Sequence, residues 1–189
     1  MPSATQILKR DHKKVEGLFQ KFDKAKNAGA KKKICEQVIQ ELEVHAQLEE
    51  EIFYPAVRQE IGEEDLIKEA QQEHNEAKRI MAELKGGNLD DDELDSKFAE
   101  LVEGVQHHVE EEEGEMFPKV EESEMDLQDY GSQLTERKNE LLKQAGKTQG
   151  AQRSGGGKSR GTKGQATKKK TTGRKAKSSG RKRRSGRAA

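Results

Sequence analysis

Apolar residues in the first 142 positions recur at steps of three, four and seven, the spacing that collects them on one face of a helix, rather than alternating as a strand requires. Leu8, Val15, Phe19 and Phe22 predict an amphipathic helix over 5–27 that closes at the turn-like Asn27-Ala28-Gly29. Ile34, Val38, Leu42, Leu48 and Ile52 predict a second over 31–59, with Pro55 marking a kink or an end because it has no N–H for the preceding turn. A third, over 63–85, carries Ile67, Ala70, Ala77, Met81 and Leu84 and stops at Gly86-Gly87-Asn88. The fourth starts at the acidic run Asp90–Glu93, which suits the positive end of a helix dipole, and carries Leu94, Phe98, Leu101, Val105 and Met116 to Pro118. A short fifth stretch over 128–144, with Leu134, Leu141 and Leu142, is expected to pack across one end. Four long helices with short links predict an all-α, up-down-up-down four-helix bundle.

Composition divides the chain in two. Lys and Arg number 36, as do Asp and Glu, but 17 of the basic residues lie from Lys143 onward and every acidic one lies at or before Glu140. Residues 1–142 thus set 19 basic against 36 acidic side chains, a net −17, and residues 143–189 carry +17. The latter segment has no Val, Ile, Leu, Met, Phe, Tyr or Cys and holds ten of the 18 glycines. It cannot bury enough apolar surface to offset the entropy of ordering it, so a disordered tail is expected over 143–189. The start MPSATQILKRDHKK lacks an apolar stretch of signal-peptide type, and no run approaches the ~18 apolar residues of a membrane helix. Cys35 is the only cysteine, which excludes an intrachain disulfide and a thiolate cage. A cytoplasmic protein is expected.

Each of the four helices places a histidine in its apolar stripe: His12 between Leu8 and Val15, His45 between Leu42 and Ile52, His74 between Ala70 and Ala77, and His108 between Val105 and Met116. Two carboxylates join them, Glu49 and Glu112, each four residues after a histidine and therefore on the same helix face. A lone stripe histidine reads as a hydrogen-bonded core imidazole. Four of them, with two carboxylates that would cost several kcal/mol each to bury unpaired and no Lys or Arg on the stripes beside them, point to a metal. The pattern also repeats. His12 to His74 is 62 residues, His45 to His108 is 63, and Pro55 and Pro118 each fall ten after the second histidine of their half. The repeat selects His108 over His107, which falls with Glu100, Glu103 and Glu111 on the polar face. The other glutamates of runs 49–51 and 110–113 are expected to be solvated.

The segments LKRDHKKVEGLF, HAQLEEEIFYPAV, EHNEAKRIMAEL and HHVEEEEGEMFPKV resemble the haemerythrin-like HHE cation-binding domain over residues 1–142. The resemblance implies that His12, His45, His74 and His108 are terminal ligands of two non-haem irons, that Glu49 and Glu112 bridge them, and that an oxo or hydroxo bridge completes the centre. The ligand set has four histidines where the oxygen-carrying haemerythrins have a fifth, which argues against reversible oxygen carriage and for open positions that react or sense. Ferritin-like centres use Glu-x-x-His pairs, and no such tetrad is present. The family implies binding, sensing or consumption of dioxygen, peroxide or nitric oxide, with peroxide consumption as the oxidoreductase activity expected of an enzyme. No catalytic acid, base or nucleophile stands out beyond the ligands. Tyr54 is assigned to packing, and Cys35, ten residues before His45, to a semi-buried structural position.

Residues 147–189 mix clusters such as Lys168-Lys169-Lys170 and Arg181-Lys182-Arg183-Arg184 with Gly, Ser and Thr. A flexible polycation releases counterions from phosphates without reading sequence, so nonspecific binding to DNA or another polyanion is expected, with nucleoid association as a consequence. Without aromatics it cannot stack on bases. The alternatives are a tail that folds back on the acidic bundle and a metal-free bundle that serves as a nonspecific nucleic-acid-binding protein. Arg181–Arg184 would pass as a nuclear import signal, whereas Ser154–Ser159 fails as a phosphate loop because no strand precedes it and its first glycine is missing.

Overall fold

The structure is a computed structural model that describes residues 1–87 and 89–154. Of the tail expected to be disordered over 143–189 and to bind a polyanion over 147–189, residues 143–154 are helical, and the remainder, with the import-type cluster Arg181–Arg184, lies outside the described residues. Helix α1 spans Ala4–Lys24 and starts from a capping box in which the Ser3 side chain takes the Gln6 N–H and the Gln6 side chain takes the Ser3 N–H. Helix α2 spans Ala28–Leu48, with the Asn27 side chain capping it at Ala30 N–H. Asn27 therefore opens the second helix rather than closing the first.

At Pro55 the helix does not end. α2 runs into a π-helical turn over Glu49–Phe53 and on into α3, Tyr54–Glu60. The same occurs around Pro118, where α5, Asp91–Glu111, passes through a π turn over Glu112–Met116 into α6, Phe117–Glu121. The physical reason lies in the ring. Proline offers no N–H and crowds the carbonyl four residues earlier, and widening the ladder to a five-residue step, Tyr54 N–H to Glu49 O and Phe117 N–H to Glu112 O, relieves both. The extra residue also rotates the inward face by about 100°. Ile52, expected in the core, is consequently only half-buried, while Phe53 and Tyr54 are fully buried.

α4 spans Glu64–Gly86, entered through Gly62, whose φ of 71° is a left-handed conformation that favours glycine. α5 begins at Asp90, which forms a capping box with Glu93. With the π turns counted as continuations, four long helices form the bundle. Their apolar residues divide into two clusters. One holds Leu8, Leu48, Phe53, Tyr54, Ile67, Met116 and Phe117; the other holds Val15, Phe19, Phe22, Val38, Leu42, Met81, Phe98 and Val105. The stripe histidines lie in sequence between the members of the two clusters, so a polar layer separates them.

The fifth helix, α7, is long: it spans Leu127–Ser154. Residues 143–154, expected to belong to the tail, continue it because extending a formed helix is far less costly than starting one. Nor does α7 cross an end. It packs along α1, α2 and the first π turn, buries Leu134 and Leu141 beside Ala4, Ile7, Leu8 and Val44, and pairs Lys138 with Asp11 and Arg137 with Glu51. At Gly131 it passes so close to the start of the chain that a Cβ would clash with the Pro2 carbonyl oxygen. Among the described residues no helix is long and apolar enough to cross a membrane.

Candidate metal centre

All six residues expected to hold metal are buried, and they converge. His12 and His45 bring their Nε2 atoms within 3.0 Å, and His74 and His108 bring theirs within 3.2 Å. Glu49 reaches both pairs, with Oε1 3.0 Å from His45 Nε2 and Oε2 3.3 Å from His74 Nε2. Glu112 Oε2 stands 3.5 Å from His12 Nε2 and 3.6 Å from His108 Nε2. Neighbouring ligand atoms around an ion ~2.1 Å from each are ~3.0–3.4 Å apart for octahedral or tetrahedral geometry. The spacing therefore fits two ions, one at His12 and His45 and one at His74 and His108, with Glu49 between them. The sequence leaves open which histidines lie together; each adjacent hairpin, α1/α2 and α4/α5, brings its own two side by side.

The imidazoles are oriented from behind. His12 Nδ1 lies 2.8 Å from Glu113 Oε1, His74 Nδ1 2.9 Å from Glu50 Oε1, and His108 Nδ1 2.9 Å from Glu73 Oε2. His45 Nδ1 faces Asp11 Oδ2 at 3.7 Å, too far for a direct hydrogen bond. A carboxylate on Nδ1 keeps the proton there and turns the Nε2 lone pair inward, the arrangement that suits metal ligation. Glu50 and Glu113 are thus not mere solvated neighbours of Glu49 and Glu112. They are partners of His74 and His12, as Asp11 and Glu73 are of His45 and His108. Each such carboxylate abuts one site residue in sequence but serves a histidine on another helix, which is why reading along a single stripe misses it.

Buried polar atoms here lack ordinary partners. Both Glu49 carboxylate oxygens and Glu112 Oε2 accept no hydrogen bond despite being shut off from water. Burying them unpaired is costly, and a cation is the species that would satisfy them. Without metal, protons take part of that role. Burial opposes an imidazolium at His45, but the Glu49 charge, with Asp11 and Glu112, outweighs it and pulls the group up to about 10. Burial likewise opposes charge on His108, and Glu112 and Glu73 more than offset it, so that its pKa is raised. Burial would raise the Glu49 carboxyl, but the His45 charge holds it well below the usual carboxylate range.

Tyr54 enters the site as well. Its ring is fully buried, as packing requires, but its hydroxyl donates to Glu112 Oε1 at 3.0 Å and lies 3.4 Å from His74 Nε2. Burial, followed by the Glu49 and Glu112 charges, raises its pKa well above 10, so it remains a phenol beside them. Its counterpart in the repeat, Phe117, stacks on His12 with ring centroids 5.9 Å apart and has no hydroxyl. The two halves of the site are therefore chemically unequal. The four histidines themselves line a cavity of about 40 Å³, whose remaining wall is largely apolar and includes Val15, Leu42, Ala77, Met81, Val105 and Val109. Cys35 is buried in the apolar cluster of Val15, Leu42 and Met81 and is not among the residues that line the cavity.

Residues 3–120 match the family described as the Hemerythrin HHE cation binding domain. The chain belongs to that family. It is 30% identical over 114 residues to a protein named DNA nickase from Nostoc sp., an alignment that covers 60% of this chain and 32% of that one. It is also 24% identical over 123 residues to a hemerythrin-like protein of Schizosaccharomyces pombe, covering 64% of this chain and 61% of the other. The chain thus spans about a third and about three-fifths of the lengths of these two relatives. No solved structure matches it significantly.

Proposed function

We propose that this haemerythrin-like bundle holds two non-haem irons through His12, His45, His74, His108, Glu49 and Glu112, and that it binds, senses or consumes dioxygen, peroxide or nitric oxide. The observation that carries the proposal is the convergence of four inward Nε2 atoms on carboxylate oxygens that no donor satisfies. When bound, iron would supply redox chemistry and open coordination positions. The chain does the rest. Glu113, Glu50 and Glu73 fix three imidazole rings through Nδ1. The Tyr54 hydroxyl holds Glu112 Oε1 and keeps a proton at the edge of the His74 half. The apolar cavity has room for roughly three water-sized molecules, which favours a diatomic or peroxide over larger ligands.

The test is elemental analysis of protein purified without chelator, together with its visible spectrum. About two irons per chain, lost together in Glu49→Ala/Glu112→Ala, are expected. Metal-free protein that stays empty after anaerobic ferrous loading would overturn the proposal. A peroxide-consuming activity should vanish in His45→Ala, and undiminished turnover there would separate that activity from the centre.

The second part of the proposal is that the basic C-terminal segment tethers the bundle to DNA. Its support is the charge of +17 beyond residue 142 and a relative whose name concerns DNA. A chain ending at Ser154 should lose salt-sensitive DNA retention and keep its iron. Full retention by that chain would sink the tether.

A further inference from the structure

Outside the six buried residues, a further cluster of metal-type donors stands among the described residues. His107 and Glu111 project from α5 four residues apart, and Glu73 faces them from α4. His107 Nε2 lies 3.3 Å from Glu111 Oε1 and 3.6 Å from Glu73 Oε1, and the three donor atoms all fall within 4.8 Å of one another. Two ligands of a tetrahedral ion, each ~2.1 Å from it, stand ~3.4 Å apart, so the two His107 separations need little adjustment.

The internal repeat supplies an independent reason to place a cation here. Asp11 in the first half corresponds to Glu73 in the second: each precedes a stripe histidine and each faces the Nδ1 of the other histidine of its half. At Asp11 the protein provides its own cation, since Lys138 of α7 pairs with Oδ1. The positions beside it, Val44 and Leu48, are buried apolar residues in the cluster that includes Leu134 and Leu141 of α7. At Glu73, among the described residues, no lysine or arginine pairs with either Glu73 or Glu111. Where the first half has Val44 and Leu48, the second has His107 and Glu111, an imidazole and a carboxylate. The half that α7 covers has an ammonium at this carboxylate, and the other has ligands for a metal ion.

Glu73 also connects this cluster to the interior. Its Oε2 accepts from His108 Nδ1 while its Oε1 faces His107, and it lines the cavity that reaches His12, His45, His74 and His108. We propose that His107, Glu111 and Glu73 form a surface site for a divalent transition-metal cation, and that this site passes the ion to the buried centre. The second clause rests on the metal-centre proposal above; the first does not. Mixed imidazole and carboxylate donors suit ferrous iron and its neighbours rather than calcium or magnesium. The net negative charge of residues 1–142 draws such ions toward the bundle.

Cobalt(II), an air-stable probe, tests the proposal by equilibrium dialysis and visible absorption on metal-free full-length protein. Wild type should bind three cobalt ions per chain, the weakest of which is absent from both His107→Asn and Glu111→Gln. His107 is 63% exposed, so its substitution leaves the core untouched, and circular dichroism checks this. Ferrous loading of the buried centre should be several-fold slower in both variants and reach the same final content. A third ion that persists in both variants, or only two in wild type, would overturn the surface site. Unchanged loading rates would overturn the transfer. One cobalt ion, lost in His107→Asn from a chain whose buried centre never fills, would uphold the surface site while refuting the metal-centre proposal and the transfer.

Discussion

Replacing Tyr54 by Phe removes a single oxygen, and the structure sets the size of the effect. The ring should stay in place, because the equivalent position in the second half is already a phenylalanine in a similar apolar setting. What disappears is the 3.0 Å bond from the hydroxyl to Glu112 Oε1, between side chains that are 0% and 2% exposed. A buried hydrogen bond to a charged group contributes about 1.5–3 kcal/mol, and here no water can replace the donor. In metal-free protein Tyr54→Phe should therefore lower stability by about that amount, or Tm by roughly 4–10 °C for a domain of this size. Urea unfolding in chelator measures it. Combining the change with Glu112→Gln should give a coupling of comparable size, because the second substitution weakens the same bond. Equal stability of Tyr54→Phe and wild type, or strict additivity in the double variant, would mean that the hydroxyl does not hold Glu112 and that Tyr54 serves packing alone.

The four long helices and the inward placement of the six candidate ligands were legible in the sequence because one physical rule, apolar spacing at 3.6 residues, governs both. Histidines and glutamates that violate a stripe stand out only because the stripe is regular. What escaped lies off that rule. The π turns come from Pro55 and Pro118 acting on the hydrogen-bond ladder, and they turn Phe53 rather than Ile52 inward. α7 is docked by Lys138, Arg137 and a glycine contact that no periodicity encodes. Asp11, Glu50, Glu73 and Glu113 look like ordinary polar-face residues until their helices meet. One signal was available: the repeat that pairs His12 with His74 and His45 with His108 also pairs Asp11 with Glu73 and Glu50 with Glu113. Acidic residues retained at matched positions beside both ligand sets would have marked them.

Glu49→Gln preserves volume but removes the charge that faces both histidine pairs, so it should cost both ions together; loss of one ion with full retention of the other would show that Glu49 is not shared. Gly131→Ala should destabilise the fold by about 1–3 kcal/mol, because its Cβ meets the Pro2 backbone and not a side chain that can rotate away; an unchanged urea midpoint would contradict the close approach. Burial pushes the Cys35 thiol up to about 11, so iodoacetamide at pH 8 should modify it only after unfolding. The pH dependence of stability should change sign with metal. In chelator, His45 binds its proton up to about pH 10 when folded and only to about 6.5 when unfolded, and His108 is raised in the same direction. Their stabilisation is complete below the unfolded value and is lost as pH rises toward the folded one, with a slope of up to ~1.4 kcal/mol per pH unit for each proton. Glu49, held below its ordinary range, stays ionised across that window and adds no slope. Metal-free protein should thus weaken as pH rises from 7 to 8, below the range in which the unfolded Cys35 thiol ionises and would add to the loss. Iron must displace those same protons to bind, so the loaded protein should instead gain stability from pH 5 to 7 as proton competition falls. Denaturation curves that rise with pH in chelator would show that the site histidines are neutral in the folded chain, and the account of protons standing in for metal would fail.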